Sequence, residues 1–291
     1  MRIQWNLSVV LICAFGLAVV ASCSPSGSVS NDNTNDNANT NQNGGDDVDA
    51  NVTFPDVSGD AGDDSELINI SDEGGIAVSF FGGTDGDEST ATISRIEGTT
   101  GEDSLVASFD SNLRTDRVTI GDTEIELDYD TEDMFTYTVS RGEETVFSGS
   151  GLVAIRTDAA MKKPPTRTVQ RVDPEDVAAC RDELLSLFAE LAEQVEAPDG
   201  GSTPSAEFIA CLEEVNAVRR IASALCAVQL VFAPALEEVV TECTSHVDPL
   251  RCLNRALPAI TSMLSLYSTL NVVLIDIIFQ IRSDLELCPS S

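Results

Sequence analysis

The chain has 291 residues, 49 of them acidic and 16 basic, for a formal net charge of −33 and a pI near 4.1. That balance excludes a nucleic-acid partner, because a polyanion is bound by clustered Lys and Arg and repelled by an acidic surface. The acids serve solubility first and cation binding second.

Met1-Arg2 gives a thin positive start, Leu7 to Val20 is almost unbroken apolar chain, and small residues precede Cys23. This is the pattern of a short secretory signal, since the run is shorter than the ~20 residues a bilayer span needs and no basic stop follows it. The box Val20-Ala21-Ser22-Cys23 resembles that of bacterial lipoproteins. The resemblance implies loss of residues 1–22, acylation of Cys23 and, with Ser24 rather than an acid after the cysteine, residence at the outer membrane or cell surface. An ordinary signal peptide that leaves Cys23 free is the competing reading. Two or more acyl chains hold a protein stably at a bilayer, so the folded part would need no membrane affinity of its own.

Residues 23–63 read as a tether. A small-residue run to Ser30 gives way to NDNTNDNANTNQNGGDDVDAN, which has almost nothing apolar to offset its ordering entropy. As a flexible coil it reaches ~35 Å, and it resembles the spacers of bacterial surface lipoproteins. From 64 to 156 the period becomes two. Val118 and Ile120 alternate with polar residues, Gly121-Asp122 turns the chain, and Ile125, Leu127 and Tyr129 alternate back; a second hairpin runs from Phe135 to Val139, turns at Gly142 and returns through Thr145 to Phe147. With further strands at 76–81, 90–96 and 105–109, this predicts an antiparallel meander, closed as a small barrel or folded as a sandwich.

Residues 157–172 form a Pro-containing linker with Lys162, Lys163, Arg167 and Arg171. The remainder, 173–291, reads as a separate helical bundle, so the fold class is multidomain α and β. Asp173-Pro174 caps the first helix, which ends before Pro198-Asp199-Gly200-Gly201. The second runs unbroken from Thr203-Pro204 to Pro234, a third spans 235–245, and the stretch from Leu250 to Leu287 is helical with a break between Pro258 and Ser265.

With Cys13 in the signal and Cys23 acylated, six cysteines remain, all in the helical part, and in an extracytoplasmic compartment six read as three disulfides. Cys243 and Cys252 flank the His246–Pro249 turn and pair first. Cys211 and Cys226 on one straight helix would stand ~22 Å apart, too far to bridge. Folding the first helix back on the second then favours Cys180–Cys226 with Cys211–Cys288 over pairing Cys180 with Cys211. The gaps of 30, 14, 16, 8 and 35 residues depart from those of saposin-like and insect odorant-binding proteins.

Few residues invite chemistry. His246 is the sole histidine and sits at a helix end, where a cation favours the helix dipole. No nucleophile elbow, phosphate loop, H-E-x-x-H or cofactor motif occurs, so no catalytic residue is expected. Residues 23–156 carry 29 acids against 5 basic residues. Calcium, if bound, is expected at Asp85 and Asp87, or at Asp128 and Asp130 with Glu132 and Asp133, where turns concentrate hard oxygen ligands. In the last helix, Ser262, Ser265, Thr269, Asp276 and Ser283 trace a stripe at helical spacing, read as the wet side of a core helix. The expectation is a lipid-anchored envelope protein of binding or structural type, held at the membrane by its N-terminal lipid and open to a protein partner in the envelope. An apolar-ligand carrier comes second, motivated by the Met263–Ile281 run, and a hydrolase of surface polymers third.

Overall fold

The computed structural model describes residues 51–53, 64–71, 77–84, 91–131, 133–152, 172, 174–196, 206–232, 240, 243 and 249–283. Nine strands form one antiparallel sheet in strict chain order: β1 Asn51–Thr53, β2 Ser65–Ser71, β3 Ala77–Thr84, β4 Ala91–Thr99, β5 Ser104–Phe109, β6 Thr115–Ile120, β7 Thr123–Tyr129, β8 Met134–Arg141 and β9 Glu144–Leu152. The alternation that identifies the strands also sets their faces. Val118, Ile120, Ile125, Phe135 and Val139 are buried, whereas Asp116, Glu126, Asp128 and Thr136 face solvent.

Two hairpins turn in two residues. Ile120 pairs with Thr123 across Gly121-Asp122, and Arg141 with Glu144 across Gly142-Glu143. In each the first turn residue is a glycine at positive φ, +58° and +62°, the conformation a type II′ turn requires and other residues resist.

The sheet begins earlier than the tether expectation allowed. Asn51–Thr53 pairs with β2, placing Val52 opposite Ile70; Val and Thr favour strands, and the Asn- and Asp-rich run before them does not. Among the described residues no pairing joins β1 to β9, so the meander is one open sheet rather than a closed barrel or two stacked sheets. Helices cover its apolar face instead.

Those helices are α1 Pro174–Glu196, α2 Ala206–Glu214, α3 Asn216–Ala227, a π-helical turn Val228–Phe232 and α4 Pro249–Ser283. Helix α3 is buried nearly all round, from Ala217 and Val218 through Ile221 to Ala227, and packs between α1 and α4. Helix α4 lies on the sheet and touches β4, β6 and β9. Phe232 closes on Gly98 of β4, where a Cβ would meet its ring. Sheet and helices therefore share one core. The β region (64–156) and the helical region (173–291) both fall within one compact unit, Asp47–Ser291, because an open sheet with one apolar face must bury it against another layer.

Two helix expectations are corrected as well. The second helix is not continuous. It breaks at Val215 (φ −77°, ψ 101°), and the flanking helices bend by 86°. The hydrogen-bond ladder is barely interrupted: Val215 N–H donates to Cys211 O at 3.2 Å and Val215 O accepts from Arg219 N–H at 3.0 Å. No Gly or Pro marks the site; burial of Phe208 and Leu212 on one side and of Val218 and Ile221 on the other dictates it. Conversely, α4 runs through Pro258 without the expected break. Proline removes only the backbone donor that would reach Asn254 O, and the same stretch gains side-chain bonds: Thr261 Oγ1 donates to Leu257 O at 3.0 Å and Ser262 Oγ to Pro258 O at 2.8 Å.

Candidate functional site

The first half of the polar stripe of α4 is dry. Ser262, Ser265 and Thr269 are fully buried or nearly so on the sheet side, whereas Ser283 at the helix end is exposed. Ser265 Oγ accepts from the Thr115 N–H at 2.9 Å and shares a hydrogen bond with its Oγ1 at 3.1 Å. One turn on, Thr269 faces the Tyr129 hydroxyl, and neither oxygen completes a hydrogen bond of good geometry. Burial raises the Tyr129 pKa against the opposing influences of Thr269 and of the Arg114 guanidinium, which sits 4.4 Å over its ring.

Two turns further the stripe ends in a network. The Tyr137 hydroxyl of β8 donates to Asp276 Oδ2 at 2.7 Å. Gln280 Nε2, one helical turn beyond Asp276, shares its two hydrogens among the same Oδ2 at 3.0 Å, the Tyr137 oxygen at 3.1 Å and Ser148 O of β9 at 3.1 Å. Burial first, and the adjacent Asp276 carboxylate second, push the Tyr137 hydroxyl far above its ordinary pKa, so it remains a donor throughout the physiological range. Gly149 and Gly151 make the approach possible. A Cβ on Gly149 would strike Asp276 Oδ2 and the Tyr137 ring, and one on Gly151 would strike Val272 and Phe135. Chemically this constellation binds α4 to β8 and β9. Its carboxylate is occupied by two donors, and no nucleophile stands beside it.

A second set of charges holds the other helices at the turn end of the sheet. Arg220 of α3, 16% exposed, reaches Asp103 at 3.1 Å, Thr123 at 3.3 Å and Asp122, while Arg181 of α1 lies 3.7 Å from Glu102. The loop from β5 to β6 is built on Asp110. Burial pushes this carboxyl up, but the Arg114 side chain and the backbone N–H groups of Arg114 and Asn112 outweigh that effect and hold its pKa below the usual value.

The outer face of the sheet carries an open cleft of about 560 Å³, lined by Ser108, Asp116, Arg117, Glu126, Asp128 and Thr136 among others. Arg117 bridges Glu126 at 2.7 Å and Glu124 at 3.3 Å, and at 55% exposure such pairs contribute about 0.2–1 kcal/mol each. Of the calcium candidates, Asp128 lies in this cleft and Asp130 follows β7; Asp85, Asp87 and Glu132 lie outside the described residues. Among the described residues no group of three or more His, Cys, Asp or Glu side chains is placed to hold a metal ion.

Cys180 is joined to Cys226, with Cα atoms 5.9 Å apart, and Cys243 to Cys252, 5.3 Å apart. Cys211 is disulfide-bonded, and its expected partner Cys288 lies outside the described residues, as do Cys23 and His246. The break at Val215 removes the straight-helix argument that set Cys211 ~22 Å from Cys226.

Cys252–Ser283 is long and apolar enough to cross a membrane by length and composition alone, yet 56% of its most apolar window is buried within the fold. No family model, curated protein or solved structure matches the chain. The sequence reading put Asp276 on the wet side of a core helix and gave neither it nor Gln280 a partner. The available signal was their i, i+4 spacing together with glycines at alternate positions of β9, a smooth strip against which a helix can lie.

Proposed function

We propose that this chain is a lipid-anchored, extracytoplasmic protein of the cell envelope or surface, whose folded unit acts by binding or as a structural component and not by catalysis. The observation that carries the reading is the box Val20-Ala21-Ser22-Cys23 at the end of an apolar run, followed by a polar spacer. Disulfides in the helical layer support an oxidising compartment. Loss of residues 1–22, which contain Arg2 and no acid, leaves 15 basic against 49 acidic residues and a net charge of −34, suited to a solvated surface domain held off a bilayer. An apolar-ligand carrier has less support, because Leu266, Leu270, Val273, Leu274, Ile277 and Ile281 are packed into the shared core and the outer cleft is polar. Changing Cys23 to Ala and fractionating cells tests the anchor. The wild-type chain is expected with membranes and the variant free of them, and retention of the variant on membranes would refute the reading.

A further inference from the structure

The outer face of the β8–β9 hairpin differs from the rest of the sheet. Cross-strand partners Met134 and Leu152, Thr136 and Ser150, and Thr138 and Ser148 face solvent there, and Val146, the unpaired residue of the bulge that follows, is exposed as well. None is charged, whereas the neighbouring β7 presents Glu124, Glu126 and Asp128 on the same side. Among the described residues five large apolar side chains are exposed, and three of them, Met134 (48%), Val146 (37%) and Leu152 (37%), lie on this hairpin. β9 is also the last strand, and among the described residues nothing pairs with its outer edge.

We propose that this face is a contact between two copies of the chain, packed about a two-fold axis that runs along the hairpin between β8 and β9. A chain of net charge −33 approaches its own copy most readily where charge is absent. The axis also makes the face self-complementary, as an isologous contact requires. It lays β8 of one copy over β9 of the other, so the Met134–Leu152 end meets its equivalent, Val146 meets the partner's Val146 end, and threonine hydroxyls lie across from serine hydroxyls. The acidic β7 strands fall on opposite sides of the contact, three strand spacings or about 14 Å apart laterally. That exceeds the Debye length of about 8 Å at physiological ionic strength, so their repulsion is largely screened. An added peptide strand on the edge of β9 fits less well, since Gln280 already occupies Ser148 O.

Seven residues a side fall well short of the roughly 20–30 of a standard interface, so the contact is weak in solution and gains from any arrangement that concentrates the chain in a plane. The test uses the chain from residue 23 with Cys23→Ser, without lipid, so its outcome is separate from that of the anchor. Sedimentation velocity between about 10 μM and about 1 mM should show the average mass rising with concentration, with dissociation constants at least about tenfold weaker for Met134→Asp and for Ser150→Glu, a change of about 1.4 kcal/mol or more. Thermal melts check that both variants fold. Independently, because packed sheet faces stand about 10 Å apart, out of disulfide reach, Thr138→Cys mixed with Ser148→Cys should be joined by a bis-maleimide of about that span more efficiently than either variant alone. A monomer at every concentration, self-association indifferent to both folded variants, or no preference for the mixed cross-link would each overturn the proposal.

Discussion

Replacing Tyr137 with Phe removes one oxygen and leaves the ring in place, which isolates the hydroxyl's role at the sheet–helix junction. Tyr137 is 2% exposed, so water does not readily take over its hydrogen bonds. Two are lost: the donation to Asp276 Oδ2 at 2.7 Å and the acceptance from Gln280 at 3.1 Å. Asp276 keeps Gln280 at 3.0 Å, and Gln280 keeps Ser148 O, so the dominant cost is one hydrogen bond to a charged group, about 1.5–3 kcal/mol. For a unit of this size each kcal/mol moves the midpoint by roughly 2–4 °C, giving a fall of about 3–12 °C. Urea unfolding followed by circular dichroism, with disulfides intact, measures the loss directly. A cycle with Asp276→Leu sharpens it: the double variant leaves only Gln280 to find new partners, so the two losses should fall short of additive by about 1 kcal/mol or more. A loss below about 0.5 kcal/mol in Tyr137→Phe, or strict additivity in the cycle, would refute the view that this network fastens α4 to the sheet.

Other outcomes follow from the same geometry. All three tyrosines, Tyr129, Tyr137 and Tyr267, have pKa values raised, chiefly by burial, so absorbance at 295 nm should show none ionising near 10 in the folded chain and all three doing so in denaturant. Because the folded state binds these protons more tightly, their contribution to stability is complete below about pH 10 and declines as pH rises toward the folded values; unchanged stability up to strong alkali would count against it. Removing the Cys180–Cys226 bridge, which spans 46 residues, should cost about 4 kcal/mol, and removing Cys243–Cys252, which spans 9, about 2.5 kcal/mol, an order that chemical denaturation can check. Gly149→Ala should destabilise by about 1–3 kcal/mol because its methyl meets Asp276 and Tyr137, whereas Gly142→Ala, with open space around it, should lose only what the positive φ demands.

The strands were legible because a sheet with one dry face writes its period into the sequence. Phe135, Tyr137 and Val139 announce β8, Gly142 the turn that follows it and Gly121 the turn between β6 and β7, without reference to any other part of the chain. What covers that face was not legible. Tyr137 and Asp276 lie 139 residues apart, and Ser265 and Thr115 150 apart. Nothing local in Ser262, Ser265 and Thr269 distinguishes a stripe facing water from one facing a sheet, since short hydroxyl residues suit both. The same limit hid the bend at Val215 and the continuation through Pro258. In both places tertiary packing overrides what propensity alone suggests. The core shared by 64–156 and 173–291 was hidden for the same reason: each half shows a proper apolar face, and only the assembled unit shows that the two faces bury each other.

The position of α4 in the chain also has a temporal meaning. Every strand of the meander pairs with its immediate neighbour in sequence, so the hairpins can zip up one after another as the polypeptide is delivered. The layer that shields them arrives last: the helix touching β4, β6 and β9 occupies residues 249–283. Until nearly the whole polypeptide has been delivered, Val118, Ile125, Phe135 and Val139 lack the cover that keeps them from water and from other nascent chains. A molecule of this design gains little from folding piecemeal, and it suits a route that passes the chain through a membrane unfolded and lets it collapse only when its final helix is available.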